Sequence, residues 1–197
     1  MKNIALEAAK NSLAIETKAV SDMAPVLDTE AFSKAVDALA HAPRIITGAS
    51  GSSGIAAEKV AHTLGCIERP AQFLSPSKAL HGGLGAVQKG DVLVLVSRGG
   101  KTGELLPMLD VARKKGAVII GVTEKTDSPI GKDSDIVLPL IIEKESDKDN
   151  MQATASFVAT IALFDALICA VMEETDYQMS QFALIHPGGA VGERLNK

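Results

Sequence analysis

Apolar residues follow two regimes along the chain. Between residues 3 and 40 they recur at helical spacing. Ile4, Leu6, Ala8, Leu13 and Ile15 mark one helix; Val26, Leu27, Phe32, Val36 and Leu39 mark a second, with Asp28-Thr29 as its start. From residue 44 the pattern changes to short unbroken apolar runs separated by helical stretches. "RIITG" predicts a strand ending in a glycine-rich turn, with a helix over about 53–65. "AQFL" (71–74), "DVLVLVS" (91–97), "AVIIGVT" (117–123) and "DIVLPL" (135–140) predict four more strands, with a helix over about 102–115 between the third and fourth. Strands that are apolar throughout and alternate with helices imply a parallel sheet covered on both faces. With right-handed crossovers the expectation is an α/β fold: a three-layer α-β-α sandwich around a five-stranded parallel sheet, preceded by two helices. No repeat or flexible linker divides the chain, so residues 1–197 read as one domain, helices over 1–40 and sandwich plus tail over 41–197.

One stretch demands a membrane test. Residues 153–172, "ATASFVATIALFDALICAVM", hold a single charge, Asp165, and approach spanning length. Acids crowd both flanks and no basic or aromatic belt anchors the downstream end, so a buried core or interface helix is expected. The first twenty residues lack an apolar signal core and carry acids early.

Composition narrows the partners. A net charge of −4 leaves no basic face for nucleic acid, and no helix-turn-helix or basic arm suggests a transcription factor. Cys66 and Cys169, in apolar surroundings without ligand spacing, read as buried thiols of a cytoplasmic protein. Four scattered histidines make no metal site. His62 reads as packing and His41 as solvated.

In "SRGGKTGEL" (97–105), Gly100-Lys101-Thr102 sits where the phosphate loop of a nucleotide hydrolase would end. That loop needs a glycine five residues earlier, and Leu95, inside the strand, holds the position. "GASGSSG" (48–54) lacks the dinucleotide spacing, and Glu68 lies outside the next strand. A nucleotide site is therefore not expected. Both loops do end strands and contain glycines and hydroxyls, and each is expected to open a helix. Glycine lets the backbone approach an anion, and a helix N-terminus offers unpaired N–H groups. Ser50, Ser52, Ser53, Ser97 and Thr102 add hydroxyls, and Lys101 adds charge. The pair fits a phosphate monoester, although capped turns alone would leave a similar pattern.

These residues resemble the sugar isomerase (SIS) domain family, nearest its arabinose-5-phosphate isomerase branch. "TGASGSSG" is similar to the family's first-strand loop, and "FLSPSKALHGGLG" (73–85) to its Phe-x-x-Pro-x-x-Ala-x-His-Gly-Asp-Leu-Gly segment. "VSRGGKTGEL" resembles Ser-x-Ser-Gly-Glu-Ser/Thr, and "FALIHPGGAVGERL" (182–195) its His-Pro-Gly-Gly-Ala ending. The resemblance covers about residue 40 onward and implies interconversion of an aldose and a ketose phosphate, D-arabinose 5-phosphate and D-ribulose 5-phosphate foremost. Longer relatives add a pair of CBS modules; this chain is expected to be the SIS domain alone.

What the resemblance implies for single residues follows the motifs. Ser53, Ser97 and Thr102 match phosphate-holding hydroxyls and His81 a second histidine near the site, while Ser50, Ser52 and Gly99, the last in place of the family motif's second serine, are candidate substrate contacts from the loop reading above. Glu145 matches a carboxylate required for isomerisation. His186 matches a histidine that assists ring opening and proton transfer in a neighbouring subunit's site. The family implies no cofactor or metal, a homo-oligomer (dimer or tetramer) with shared active sites, and a sugar phosphate as ligand. Two departures stand out: the family's loop lysine is Ser52 here, and its glutamate is Lys101. Lys101 is expected to supply the missing charge from the neighbouring loop.

The residues support this chemistry on their own terms. Isomerisation through an enediol needs a base beside C1 and C2, for which a carboxylate suits when desolvation raises its pKa. Glu145, after the fifth strand, is the preferred base; Glu143 and Asp147 compete, and Glu104 reads as a surface residue or one behind the site. A histidine side chain titrates close to neutrality in general, which suits proton shuttling, and Pro187-Gly188-Gly189 would project His186 from a turn. Two other readings stay open: a phosphosugar-binding sensor without catalysis, and an isomerase or lyase-like enzyme for a different sugar phosphate.

Overall fold

The computed structural model describes residues 3–189 together with Gly192 and Arg194. The chain runs α1 (Asn3–Ser21), α2 (Ala24–Leu27), α3 (Glu30–His41), β1 (Ile45–Ala49), α4 (Gly51–Cys66), β2 (Ala71–Phe73) and α5 (Pro76–Leu80). It continues through β3 (Val92–Val96), α6 (Leu106–Lys115), β4 (Val118–Thr123), α7 (Pro129–Asp133), β5 (Ile136–Pro139), α8 (Ala155–Glu174) and α9 (Met179–Ile185). The strands form one five-stranded sheet, all neighbours parallel, in the order β2-β1-β3-β4-β5. The expected α/β sandwich is the observed fold.

Strand alternation divides the core between the two faces of the sheet. Ile45, Val92, Val94, Val96, Ile120 and Val122 join the cluster built with α3, α4 and α8, while Ile46, Leu93, Leu95 and Ile119 join the cluster built with α5, α6 and α7. Side chains of successive strand residues point to opposite faces, so a strand apolar at every position is what a doubly covered sheet requires. β1, β3 and most of β4 are buried along their length.

The membrane-length segment is a core helix. α8 packs against α1, α3 and α4, and Ala155, Ala159, Leu163, Phe164, Leu167, Ile168 and Val171 form its buried stripe. It passes a test of length and hydropathy for spanning a membrane, but its apolarity is spent on three helix neighbours, and Asp165 on the outer face pairs with Lys59 of α4.

The sequence expectations need correction in four places. The stretch after α1 is broken: Val26 and Leu27 sit in the separate short turn α2, and α3 begins where expected, with the Thr29 hydroxyl accepting from the Phe32 amide at 3.2 Å. The helix expected from 102 starts at Leu106, because Pro107 lacks an N–H and is tolerated only in a first turn. The thiols are not buried: Cys66 is half-buried and Cys169 exposed. His62 is exposed on the outer face of α4 beside Cys66, at 3.7 Å from its sulfur, rather than packed in the core.

Phe164 is 1% exposed at the centre of α8. Replacing it with Ala is expected to lower the unfolding free energy by about 3–5 kcal/mol, measured by urea denaturation, while leaving the far-ultraviolet dichroism of the folded protein unchanged.

Candidate functional site

In the strand order β2-β1-β3, successive connections leave the sheet in opposite directions between β1 and β3, so the loops after these two strands lie side by side at the carboxyl rim. The first loop turns at Gly51, whose φ of +59° suits glycine. Ser50 holds the N-cap position of α4 but does not cap it with its side chain. Its hydroxyl instead donates to Glu104 Oε2 at 2.7 Å, tying the two loops together. The first-turn amides of α4 therefore keep no side-chain acceptor from the cap, the arrangement that favours an anion.

The second loop is a self-bonded turn rather than a helix start. Ser97 is buried; its Oγ accepts from the Gly100 amide at 3.1 Å and shares a 2.8 Å hydrogen bond with Thr102 Oγ1. Gly100 has φ +62°, and a Cβ there would strike the side chains of Ser128 and Thr123. The Gly100 carbonyl accepts from the Ile130 amide at 3.0 Å, which anchors the loop to α7. Gly99 and Lys101 are exposed at the loop's outer edge, and the Lys101 ammonium has no partner among the described residues.

Glu145 is the most constrained charge at this rim. Its side chain is 1% exposed, and Arg98, between Ser97 and Gly99, donates from Nη1 to Glu145 Oε1 at 2.6 Å. Oε2 accepts from the Thr154 amide (3.0 Å), the Thr154 hydroxyl (3.2 Å) and the Ser156 amide (3.0 Å), so the carboxylate sits on the N-terminus of α8. Asn150 Oδ1 accepts from the Glu145 amide at 2.6 Å and holds the segment in register. Burial alone would push this carboxyl up. The donors of Ser156, the Thr154 amide and the Arg98 charge outweigh it and hold the pKa below the ordinary 4.5. The upward shift expected for a desolvated base is thus reversed in this structure, because the low-dielectric pocket is lined with donors.

The remaining sequence candidates separate. Ser52 and Ser53 line a water-sized cavity of about 10 Å³ with Arg98, Ser156 and Thr160. His81 is exposed where α5 ends, downstream of β2. His186 stacks on Phe182 at a ring-centroid distance of 3.8 Å, with Nδ1 2.9 Å from the Phe182 carbonyl. It lines an open groove with His62 and Cys66 of α4 and Phe73 of β2. Among the described residues nothing joins His186 to Glu145 within one chain. Of the competing acids, Glu143 faces Lys18 of α1 at 3.5 Å, and Asp147 accepts from the amides of Gln152, Met151 and Asp149. Glu104 precedes α6 and bridges the loops. Arg98, Thr154 and Ser156 were passed over by sequence reasoning; an arginine set among glycines at a strand end was the available signal. No group of three or more potential metal ligands occurs among the described residues.

This rim, with hydroxyl and glycine loops at the crossover and a buried carboxylate behind them, belongs to a known domain class. The SIS domain profile matches residues 38–170, and the chain belongs to the SIS domain family. The arabinose 5-phosphate isomerase of Pseudomonas aeruginosa is 31% identical over 191 residues, 96% of this chain and 58% of that protein. A Listeria monocytogenes crystal structure described as a candidate sugar-phosphate isomerase is 45% identical, with a TM-score of 0.92 over 95% of this chain and 99% of that one. An Escherichia coli CFT073 protein in complex with A5P is 29% identical, with a TM-score of 0.85 over 95% of this chain and 100% of that one. The chain spans little more than half the length of the curated relatives it matches.

Two measurements test this geometry. Gly100→Ala should cost about 1–3 kcal/mol from overpacking against Ser128 and Thr123, read from thermal or urea unfolding. Because the folded-state pKa of Glu145 is depressed, its stabilisation is complete above the unfolded value and is lost as pH falls through the folded one. The stability gap between wild type and Glu145→Gln should therefore be widest above pH 4.5 and narrow as pH drops below it.

Proposed function

We propose that the chain is an aldose–ketose isomerase domain acting on a sugar phosphate, with D-arabinose 5-phosphate and D-ribulose 5-phosphate as the preferred pair. The observation that carries this reading is the buried, ionised Glu145 beside two hydroxyl-rich loops at the crossover of the sheet. The relatives named for arabinose 5-phosphate support the choice of sugar.

The substrate phosphate lies across the rim, on the free amides at the start of α4 and the hydroxyls of Ser52, Ser53, Ser97 and Thr102, with Ser50 turning from Glu104 to join them, Gly99 leaving the approach open and His81 at the margin. Glu145 is the base. Its Oε2 is committed to three donors, whereas Oε1 receives only Arg98 and keeps a lone pair for a proton. Seating a dianionic ligand over the rim displaces water and adds negative charge, both of which raise the carboxylate's proton affinity toward the working range. His186, held off the rim in its own chain by Phe182, acts in a neighbouring subunit's site, where it assists ring opening and carries protons to the sugar oxygens. The functional unit is then a homo-oligomer, dimer or tetramer, with each site shared between copies.

Incubation with a panel of ketose phosphates in deuterium oxide, followed by NMR at C1 and C2, tests the assignment. Wild type should exchange these positions, and Glu145→Gln and His186→Ala should each lose about 10²–10⁴-fold in rate. Mixing the two inactive variants should restore exchange, because a shared site then reassembles with one intact copy of each group. Tight binding without exchange by the wild type would make the domain a sensor instead. No binding of any sugar phosphate would remove both readings.

A further inference from the structure

Arg98 makes two hydrogen bonds, Nε to Glu124 at 2.8 Å and Nη1 to Glu145 at 2.6 Å. Its third nitrogen, Nη2, has no hydrogen-bond partner among the described residues. The side chain is one-third exposed and lines the same small cavity as Ser52 and Ser53. Its backbone is fixed as firmly as its head: the Arg98 carbonyl accepts from the Glu124 amide at 3.0 Å and from the Thr123 hydroxyl at 3.1 Å. Lys125 sits on the other oxygen of Glu124 at 2.6 Å. The four charges balance, and Arg98 is left committed mainly to Glu145. Lys101, by contrast, is exposed and unanchored.

We infer that Arg98 is a catalytic residue of the isomerisation, the fixed cation that receives the developing enediolate oxygen while holding Glu145 in place. This rests on the isomerase reading above and identifies which cation that reaction uses. A guanidinium suits the task because its donors are planar and preorganised, so one edge can pin the base while another meets an oxyanion beside it. In the aldose-to-ketose direction, Glu145 Oε1 takes the proton from C2 and the C2–H electron pair becomes the C1=C2 bond. The carbonyl pair of C1 moves onto O1 as negative charge facing Arg98. The proton then returns from Glu145 to C1, the O2 proton passes to O1, and the C2 carbonyl forms. Nothing is oxidised or reduced overall. The charge absent at Ser52, and expected from Lys101, is on this reading supplied three residues before Lys101 in the same loop, by the arginine at the cavity wall.

The test compares Arg98→Met, Arg98→Lys and Lys101→Met in the deuterium-exchange assay, with the melting temperature of each recorded. Arg98→Met should lose about 10²–10³-fold in kcat with KM little altered, the range for losing one oxyanion donor. Added methylguanidinium should restore part of the rate, a result that a purely structural arginine would not give. Arg98→Lys should fall between, and if Arg98→Met does not fold, Arg98→Lys and Lys101→Met decide alone. Wild-type rates in the Arg98 variants, or a larger kcat loss in Lys101→Met than in either of them, would overturn the inference while leaving the isomerase reading standing. Absence of exchange in the wild type would instead overturn that reading, and this inference with it.

Discussion

A carboxylate cannot be left ionised in a protein interior without donors, and much of the architecture around the rim answers that requirement for Glu145. Oε2 takes the amides that open α8, Oε1 takes the guanidinium of Arg98, and Arg98 is in turn braced by Glu124 at the end of β4. Elements distant in sequence are thereby locked to one atom pair. Removing Arg98 would leave one oxygen of the buried Glu145 carboxylate without a donor, a loss larger than the net contribution of the pair.

The second constraint is topological. Strand order β2-β1-β3 brings two loops together that are separated by some fifty residues, and each solves the same local problem differently. The loop after β1 uses Gly51 to enter α4 directly, so helix amides face outward. The loop after β3 uses Gly100 to fold on itself around Ser97, and delays its helix to Leu106, with Pro107 in the first turn. Hydroxyls at one edge and helix amides at the other give a surface that favours an oxyanion without requiring a net positive protein.

Much of this was legible from residue order. Unbroken runs such as Val92–Val96 announce a doubly covered parallel sheet, because no half-exposed strand tolerates five consecutive apolar residues. Glu145 could be placed at the rim because its motif follows β5. Its electrostatic state could not: whether a buried acid is raised or lowered depends on donors nine and eleven residues downstream that meet it only when α8 starts where it does. Arg98 was hidden for a similar reason, since its meaning comes from Glu124 and Glu145, both far away in the chain. The position of His186 on its own α4 face was equally beyond local reading. That placement depends on long-range ties such as Gln181 Nε2 donating to Glu68 Oε2 at 2.6 Å, a residue more than a hundred positions earlier.

The segregation of core side chains by strand parity carries a consequence for how such a domain diversifies. Val94 and Leu95 are chain neighbours yet belong to separate clusters, divided by the thickness of the sheet itself. Volume changes on one side should combine additively with those on the other. Descendants could remodel the α6 layer, and with it the Lys101 edge of the rim, while the α8 layer that supports Glu145 goes untouched. The sheet acts as a partition between the part of the molecule that can drift and the part that must hold still.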